Sequence, residues 1–136
     1  MSIAGNHMTW RVGVAGLGTV GGGLLGFLAE RPNFAPAGGR VVVTGVSARS
    51  RSRPRPVDIS HLAWFDDPVA LAQSPDIDIF VELVGGSDGP AKAAVEAALE
   101  AGKAVVTANK ALIAEHGAEL ASLAESRGIP CCSKPP

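Results

Sequence analysis

An α/β fold built on a mostly parallel sheet is what this sequence predicts, on three observations. Short β-branched runs alternate with stretches whose apolar residues recur at helical spacing. The runs are apolar throughout, as in strands that helices cover on both faces. Glycines stand where a strand must turn at once into a helix. The size suits one domain: 136 residues, 46% hydrophobic and 18% charged, describe a compact globular chain and neither a disordered nor a fibrous one.

The elements follow in order. Residues 1–9 read as a tail, and Arg11 to Ala15 as the first strand, turned by Gly16-Leu17-Gly18. Val20, Leu24, Phe27 and Leu28 then recur at i, i+4, i+7 and i+8, a helical stripe that Pro32 stops. Val41 to Val46 is the second strand, and about a dozen irregular residues with two prolines follow it. A short helix over Asp66 to Ala72 has Asp66 or Asp67 as its cap and Pro68 in its first turn. Asp78 to Val84 is the third strand, ended by Gly85-Gly86. Ala91, Ala94, Val95, Ala98 and Leu99 trace a helix closed by Gly102, where a left-handed residue is favoured. Ala104 to Thr107 is the fourth strand, and Lys110 to Arg127 supplies one or two more helical turns, with a break at Gly117. Such alternation implies right-handed crossovers and ligands bound outside the carboxyl ends of the strands.

Several function classes drop out. No apolar run approaches the length of a membrane span, and the first nine residues hold no secretory signal, so the expectation is a soluble, cytoplasmic chain. Cys131 and Cys132 are adjacent and near the end, and three scattered histidines give no ligand spacing, so no metal site is expected. The formal net charge of −1 conceals a split: residues 1–56 carry seven arginines and one acid, residues 57–136 twelve acids and five bases. Arg49, Arg51, Arg53 and Arg55 alternate in one short stretch, a focus that asks for an anion. No aromatic interleaves them, which argues against nucleic acid.

The anion is suggested by Gly16-Leu17-Gly18-Thr19-Val20-Gly21, which fits G-x-G-x-x-G between the first strand and its helix. In that setting the first glycine allows the tight turn, the second lets backbone approach a pyrophosphate, and the third lets helix and strand pack closely. Free N–H groups at the helix start face the phosphates. The predicted architecture is therefore a Rossmann-type, doubly wound sheet, and the predicted ligand a dinucleotide. Its choice follows from the end of the second strand, where an acid accepts from the ribose 2′-hydroxyl of NAD and an arginine suits a 2′-phosphate. No acid lies between Glu30 and Asp58, so NADP(H) is favoured over NAD(H), with Arg49 and then Arg51 as the phosphate partners. A solvated basic loop is the plainer alternative.

Two further segments reach the sheet's carboxyl edge. Val81 to Gly86 ends a strand where small residues, Gly85 among them, allow flat contact with a nicotinamide ring. Asn109 caps the last helix, and Lys110 beside it sits where the positive helix end disfavours an ammonium, which suits a lysine to proton transfer. A surface lysine, or one that only holds the cofactor, is the other reading.

The combination of Gly16 to Gly21, Val46-Ser47-Ala48-Arg49, Val81 to Gly86 and Thr107-Ala108-Asn109-Lys110 resembles the N-terminal nucleotide-binding domain of homoserine dehydrogenases, over about residues 10–130. That resemblance implies reversible reduction of aspartate 4-semialdehyde to homoserine with NAD(P)H, on the route to threonine, methionine and isoleucine. It implies a direct part in the chemistry for Lys110, beside nicotinamide and substrate, and a homodimer for the full-length enzyme. Rival readings are another dehydrogenase sharing this nucleotide domain, such as an aspartate dehydrogenase, and a nucleotide-sensing module without chemistry.

The family continues for a few hundred residues into a substrate and dimerisation domain, and the expectation is that this chain is without it. Where the family tends to read Leu-Leu-Phe-Glu-Ala-Ala and start a strand, this chain reads Cys131-Cys132-Ser133-Lys134-Pro135-Pro136. One deleted cytosine converts codons for the first hexapeptide into codons for the second. The expectation is a frameshifted tail on a truncated product, a sheet incomplete at its C-terminal end with one edge unpaired, and a chain that binds nucleotide weakly and turns over little or nothing. Sequencing the locus tests it: the neighbouring frame downstream must encode the rest of a dehydrogenase.

Overall fold

A computed structural model of the chain describes residues 3–4, 7–31, 39–48, 59–84 and 89–129. They form a six-stranded sheet with four helices. The strands are β1 (Ile3–Ala4), β2 (His7–Ala15), β3 (Arg40–Ser47), β4 (Ala63–Phe65), β5 (Ile79–Glu82) and β6 (Ala104–Thr107). The helices are α1 (Thr19–Glu30), α2 (Pro68–Ala72), α3 (Pro90–Glu100) and α4 (Lys110–Ser126).

Strand order is β4-β3-β2-β5-β6, every neighbour in that series being parallel, while β1 pairs antiparallel with the start of β2. From β2 the chain runs outward to β3 and β4, then crosses to the other side for β5 and β6. The order therefore reverses at β2, and all five parallel strands deliver their carboxyl ends to one edge. This is the expected α/β, Rossmann-type, mostly parallel sheet.

Two apolar layers sandwich the sheet. On one face α2, α3 and α4 bury Leu71, Phe80, Val95, Leu99, Val105, Leu112 and Leu120. On the other, α1 packs Leu25 against Val12, Val14, Val46 and Val81. Gly13 and Gly45 face each other across β2 and β3, and a Cβ on either would lie 2.9 Å from Leu71 Cδ1. Their bare backbone thus forms a niche for Leu71, whose full burial contributes about 1.5–3 kcal/mol and anchors the five-residue α2.

Most elements match their expected positions, with instructive exceptions. Asp67, not Asp66, caps α2 by accepting from the Val69 N–H, and Pro68 starts the helix. Asp66 accepts from the Trp64 indole instead. All five apolar positions expected in α3 are buried, and Gly102 takes φ +81° after its last turn. The first strand begins at His7, four residues before Arg11, because its early part pairs with β1 and with Arg40 and Val41 of β3. The three-residue β4 lies in what reads as irregular sequence, since it is too short to show a period. Gly117 does not break α4, which runs unbroken for 17 residues.

The buried face of α1 also differs from the expected stripe. Val20 is 67% exposed, whereas Gly21, Gly22, Leu25 and Leu28 face the sheet. Glycine at the first two of these positions lets the helix start press its backbone against the sheet, which turns Val20 and Phe27 toward solvent. Ladder-end contacts secure the opposite edge of the sheet: Arg11 donates from Nε and Nη2 to the Asp78 carboxylate at 3.2 and 2.9 Å, and its N–H donates to the same group at 2.9 Å.

Candidate functional site

The candidate site lies at the carboxyl edge, where strand order reverses between β2 and β5. The Gly16 N–H donates to the Ser47 carbonyl at 2.8 Å, and the Leu83 N–H donates to the Ala15 carbonyl at 2.7 Å. The exits of β3, β2 and β5 are thereby tied together around the glycine turn.

The three motif glycines are needed for different reasons. Gly16 has φ +101°, and a Cβ there would stand 2.6 Å from the Leu83 backbone. At Gly21 a Cβ would lie 2.0 Å from the Gly16 carbonyl oxygen, so helix and turn could not close around one. Gly18 is unlike both. Its φ of −74° suits any residue, and a Cβ would meet nothing within 4 Å among the described residues. Neither strain nor packing calls for glycine at Gly18, and what remains is open space at the start of α1. No side chain caps that helix start, leaving its first N–H groups directed to the same space. The cradle fits a diphosphate.

The other expected site residues are placed unequally. Leu17 is buried among Val12, Val14, Leu25 and Val46, so its side chain supports the turn from beneath. Thr19 opens α1, its side chain lying outside the described residues, and Val20 follows, pointing outward. Arg49, Arg51 and Gly85 lie outside the described residues, as do 131–136; the described chain leaves β3 through Ala48 and β5 through Leu83 and Val84. Lys110 is the first residue of α4, exposed at the same edge as the glycine turn, and Asn109 caps the helix by accepting from the Leu112 N–H at 3.1 Å.

Sequence reasoning gave no role to Glu82 and read Thr107 only as part of the Thr-Ala-Asn-Lys segment. The two are register partners at the ends of β5 and β6. Thr107 Oγ1 donates to Glu82 Oε1 at 2.5 Å, and the Val84 N–H donates to Glu82 Oε2 at 2.8 Å. The Asn109 N–H donates in turn to Thr107 Oγ1 at 3.0 Å. The signal that could have found them is a lone acid inside the apolar run Ile79 to Val84. Among the described residues no group of three or more His, Cys, Asp or Glu side chains could hold a metal ion, and no helix is long and apolar enough to cross a membrane.

Comparison with known proteins agrees with this geometry. Residues 16–131 match the family model of the homoserine dehydrogenase NAD-binding domain. A homoserine dehydrogenase of Synechocystis is 38% identical over 122 residues, covering 90% of this chain and 28% of its own length. The crystal structure of the S. aureus homoserine dehydrogenase at pH 8.5 superposes with TM-score 0.83 and 30% identity, over 94% of this chain and 32% of that one. A hyperthermophilic archaeal homoserine dehydrogenase in complex with NADPH shares the fold at TM-score 0.74 and 23% identity, over 91% of this chain and 44% of that one. The chain thus spans about 28% of the length of the Synechocystis relative and 32% of the S. aureus one. The family match begins on the glycine that makes the turn and takes in every strand and helix of the carboxyl edge after it, and on that ground this chain belongs to the homoserine dehydrogenase NAD-binding domain family.

Proposed function

We propose that this chain is the nucleotide-binding part of an oxidoreductase that interconverts aspartate 4-semialdehyde and homoserine in amino-acid biosynthesis, working in the cytoplasm, and that it takes NADP(H) in preference to NAD(H). The observation that carries the proposal is the open space at Gly18, flanked by Gly16 and Gly21, whose bare backbones the fold itself requires. A nicotinamide nucleotide, when bound, supplies or accepts the hydride. The protein's part is to hold and to donate. Backbone N–H groups of the α1 start receive the diphosphate, and the arginines after β3 receive the 2′-phosphate.

Lys110, at the start of α4, holds a proton at Nζ. In the reductive direction hydride adds to the aldehyde carbon, the carbonyl electron pair moves to oxygen, and the Lys110 ammonium gives that oxygen its proton. In the reverse direction the lysine takes the proton back from the alcohol. The remaining length of the relatives is where the substrate contacts belong.

Titrating the purified chain with NADPH and NADH, beside an Arg49→Ala variant, tests the nucleotide assignment. NADPH should bind the tighter, and loss of one charge-assisted phosphate contact should weaken it about tenfold. Equal affinities with a silent Arg49→Ala would refute the 2′-phosphate reading. In a full-length protein carrying this domain, Lys110→Ala should lower kcat by about a hundredfold or more at unchanged nucleotide affinity, the scale of a lost proton donor.

A further inference from the structure

Glu82 is the one ionisable side chain that is buried among the described residues, at 0% exposure. It follows Ile79, Phe80 and Val81 in a strand whose other inward positions are apolar. Burying a carboxylate is costly unless hydrogen bonds replace its water. If packing were all that this position required, another apolar residue would satisfy it more cheaply, as Phe80 does two residues earlier on the same face.

The carboxylate instead ties together two chain segments that leave the sheet side by side. One oxygen accepts from the Val84 N–H, just past the end of β5. The other accepts from the hydroxyl of Thr107, the last residue of β6. That hydroxyl accepts in turn from the Asn109 N–H, and Asn109 caps the helix that Lys110 begins. A single buried group thus fixes the Val84 exit, the turn after β6 and the starting point of α4 relative to one another. These exits lie on the β5–β6 side of the strand-order reversal, opposite to the β3 side, where the described chain leaves the sheet through Ala48.

We propose that Glu82 and Thr107 are positioning residues that hold the Val84 exit and the Asn109–Lys110 helix start as one rigid wall for the nicotinamide half of the nucleotide. The inference rests on the dinucleotide reading given above. It predicts an effect confined to one half of the ligand: loosening the wall weakens contacts made by the nicotinamide end and leaves the adenosine end, held at the glycine turn and β3, as it was.

The test compares NADPH with 2′-phospho-ADP-ribose, the same nucleotide without its nicotinamide ring, on the whole chain. Thr107→Val keeps the shape and removes both hydroxyl bonds. NADPH should bind about tenfold more weakly to it, the fragment should change by less than about twofold, and Thr107→Ser should restore NADPH to within about threefold. Should Thr107→Val fail to fold, Glu82→Gln, which retains only one acceptor oxygen, is measured with the same expectation. Equal weakening of both ligands would mean general damage to the domain and would overturn the proposal, as would no change in either. If the unaltered chain binds neither nucleotide, the dinucleotide reading itself fails; NADH and ADP-ribose form the equivalent pair if the 2′-phosphate proves unimportant.

Discussion

Three glycines of one helix start separate what the fold needs from what a ligand needs. Gly21→Ala would put a Cβ 2.0 Å from the Gly16 carbonyl oxygen, so the turn or the helix must shift, at a cost of about 1–3 kcal/mol of overpacking in a urea unfolding experiment. Gly18→Ala places a Cβ that meets nothing within 4 Å among the described residues. Its unfolding free energy should stay within about 0.5 kcal/mol, as at any unencumbered position, while NADPH affinity falls at least tenfold because the new side chain occupies the ligand's approach. Gly23 is the control: exposed, in the middle of α1 and free of neighbours within 4 Å, it has no packing reason to be glycine. Gly23→Ala should stabilise by about 1 kcal/mol from helix propensity alone and leave NADPH binding unaltered. A Gly18 variant that lost stability and kept its affinity would exclude the diphosphate cradle. The motif's spacing in the sequence led to these positions. Only coordinates could assign the separate reasons, because the neighbour of Gly16 is Leu83, 67 residues away in the chain.

Among the elements, β2 and β5 are joined at both ends, by backbone near the site and by an ion pair at the far end. The Arg11 guanidinium, hydrogen-bonded to Asp78, holds that carboxyl below its ordinary range, and the same contact raises the Arg11 pKa further above neutrality. A carboxyl whose folded pKa is depressed adds stability that is complete above its unfolded pKa, about 3.9, and disappears as pH falls through the folded value. The pair therefore stabilises β2–β5 pairing at neutral pH and stops doing so in strong acid, Arg11 staying charged throughout. Asp78→Asn should lower the urea midpoint at pH 7, with the gap to the parent narrowing steadily below pH 4; a gap that stayed constant down to pH 2 would remove the electrostatic account. Sequence pattern located Asp78 at the head of a strand and Arg11 in the first one, but register decides that they meet, and register is not written in either strand alone. The same limit hid β4, whose three residues pair with β3 only because the crossover returns there. Long periodic segments were readable: α3 buries each residue that its spacing marked, and Asn109 caps α4 as its side-chain chemistry suggests.

At the scale of the whole molecule, the fold class was legible because alternation of strands and helices with a glycine turn admits few parallel topologies. The site was legible only where local chemistry dictates it, at the turn and at the capped helix, whereas the Glu82–Thr107 tie depends on strands 25 residues apart coming into register. Topology also exposes an imbalance between the two faces of the sheet. On β6 the inward side chains Val105 and Thr107 are buried under α3 and α4, yet Val106 between them is 50% exposed on the face that α1 covers only farther along the sheet. Among the described residues β6 pairs with β5 alone, and its other edge adjoins this half-exposed apolar position. An open edge beside exposed hydrophobic surface favours self-association. Val106→Thr keeps the β-branched shape and strand propensity while adding a hydroxyl. If Val106 faces water, the substitution should change unfolding free energy by less than about 0.5 kcal/mol and raise the concentration at which the purified chain stays monodisperse in light scattering. A loss above about 1 kcal/mol would instead mean that chain outside the described residues covers this valine, since a buried hydroxyl without a partner carries a penalty of that size.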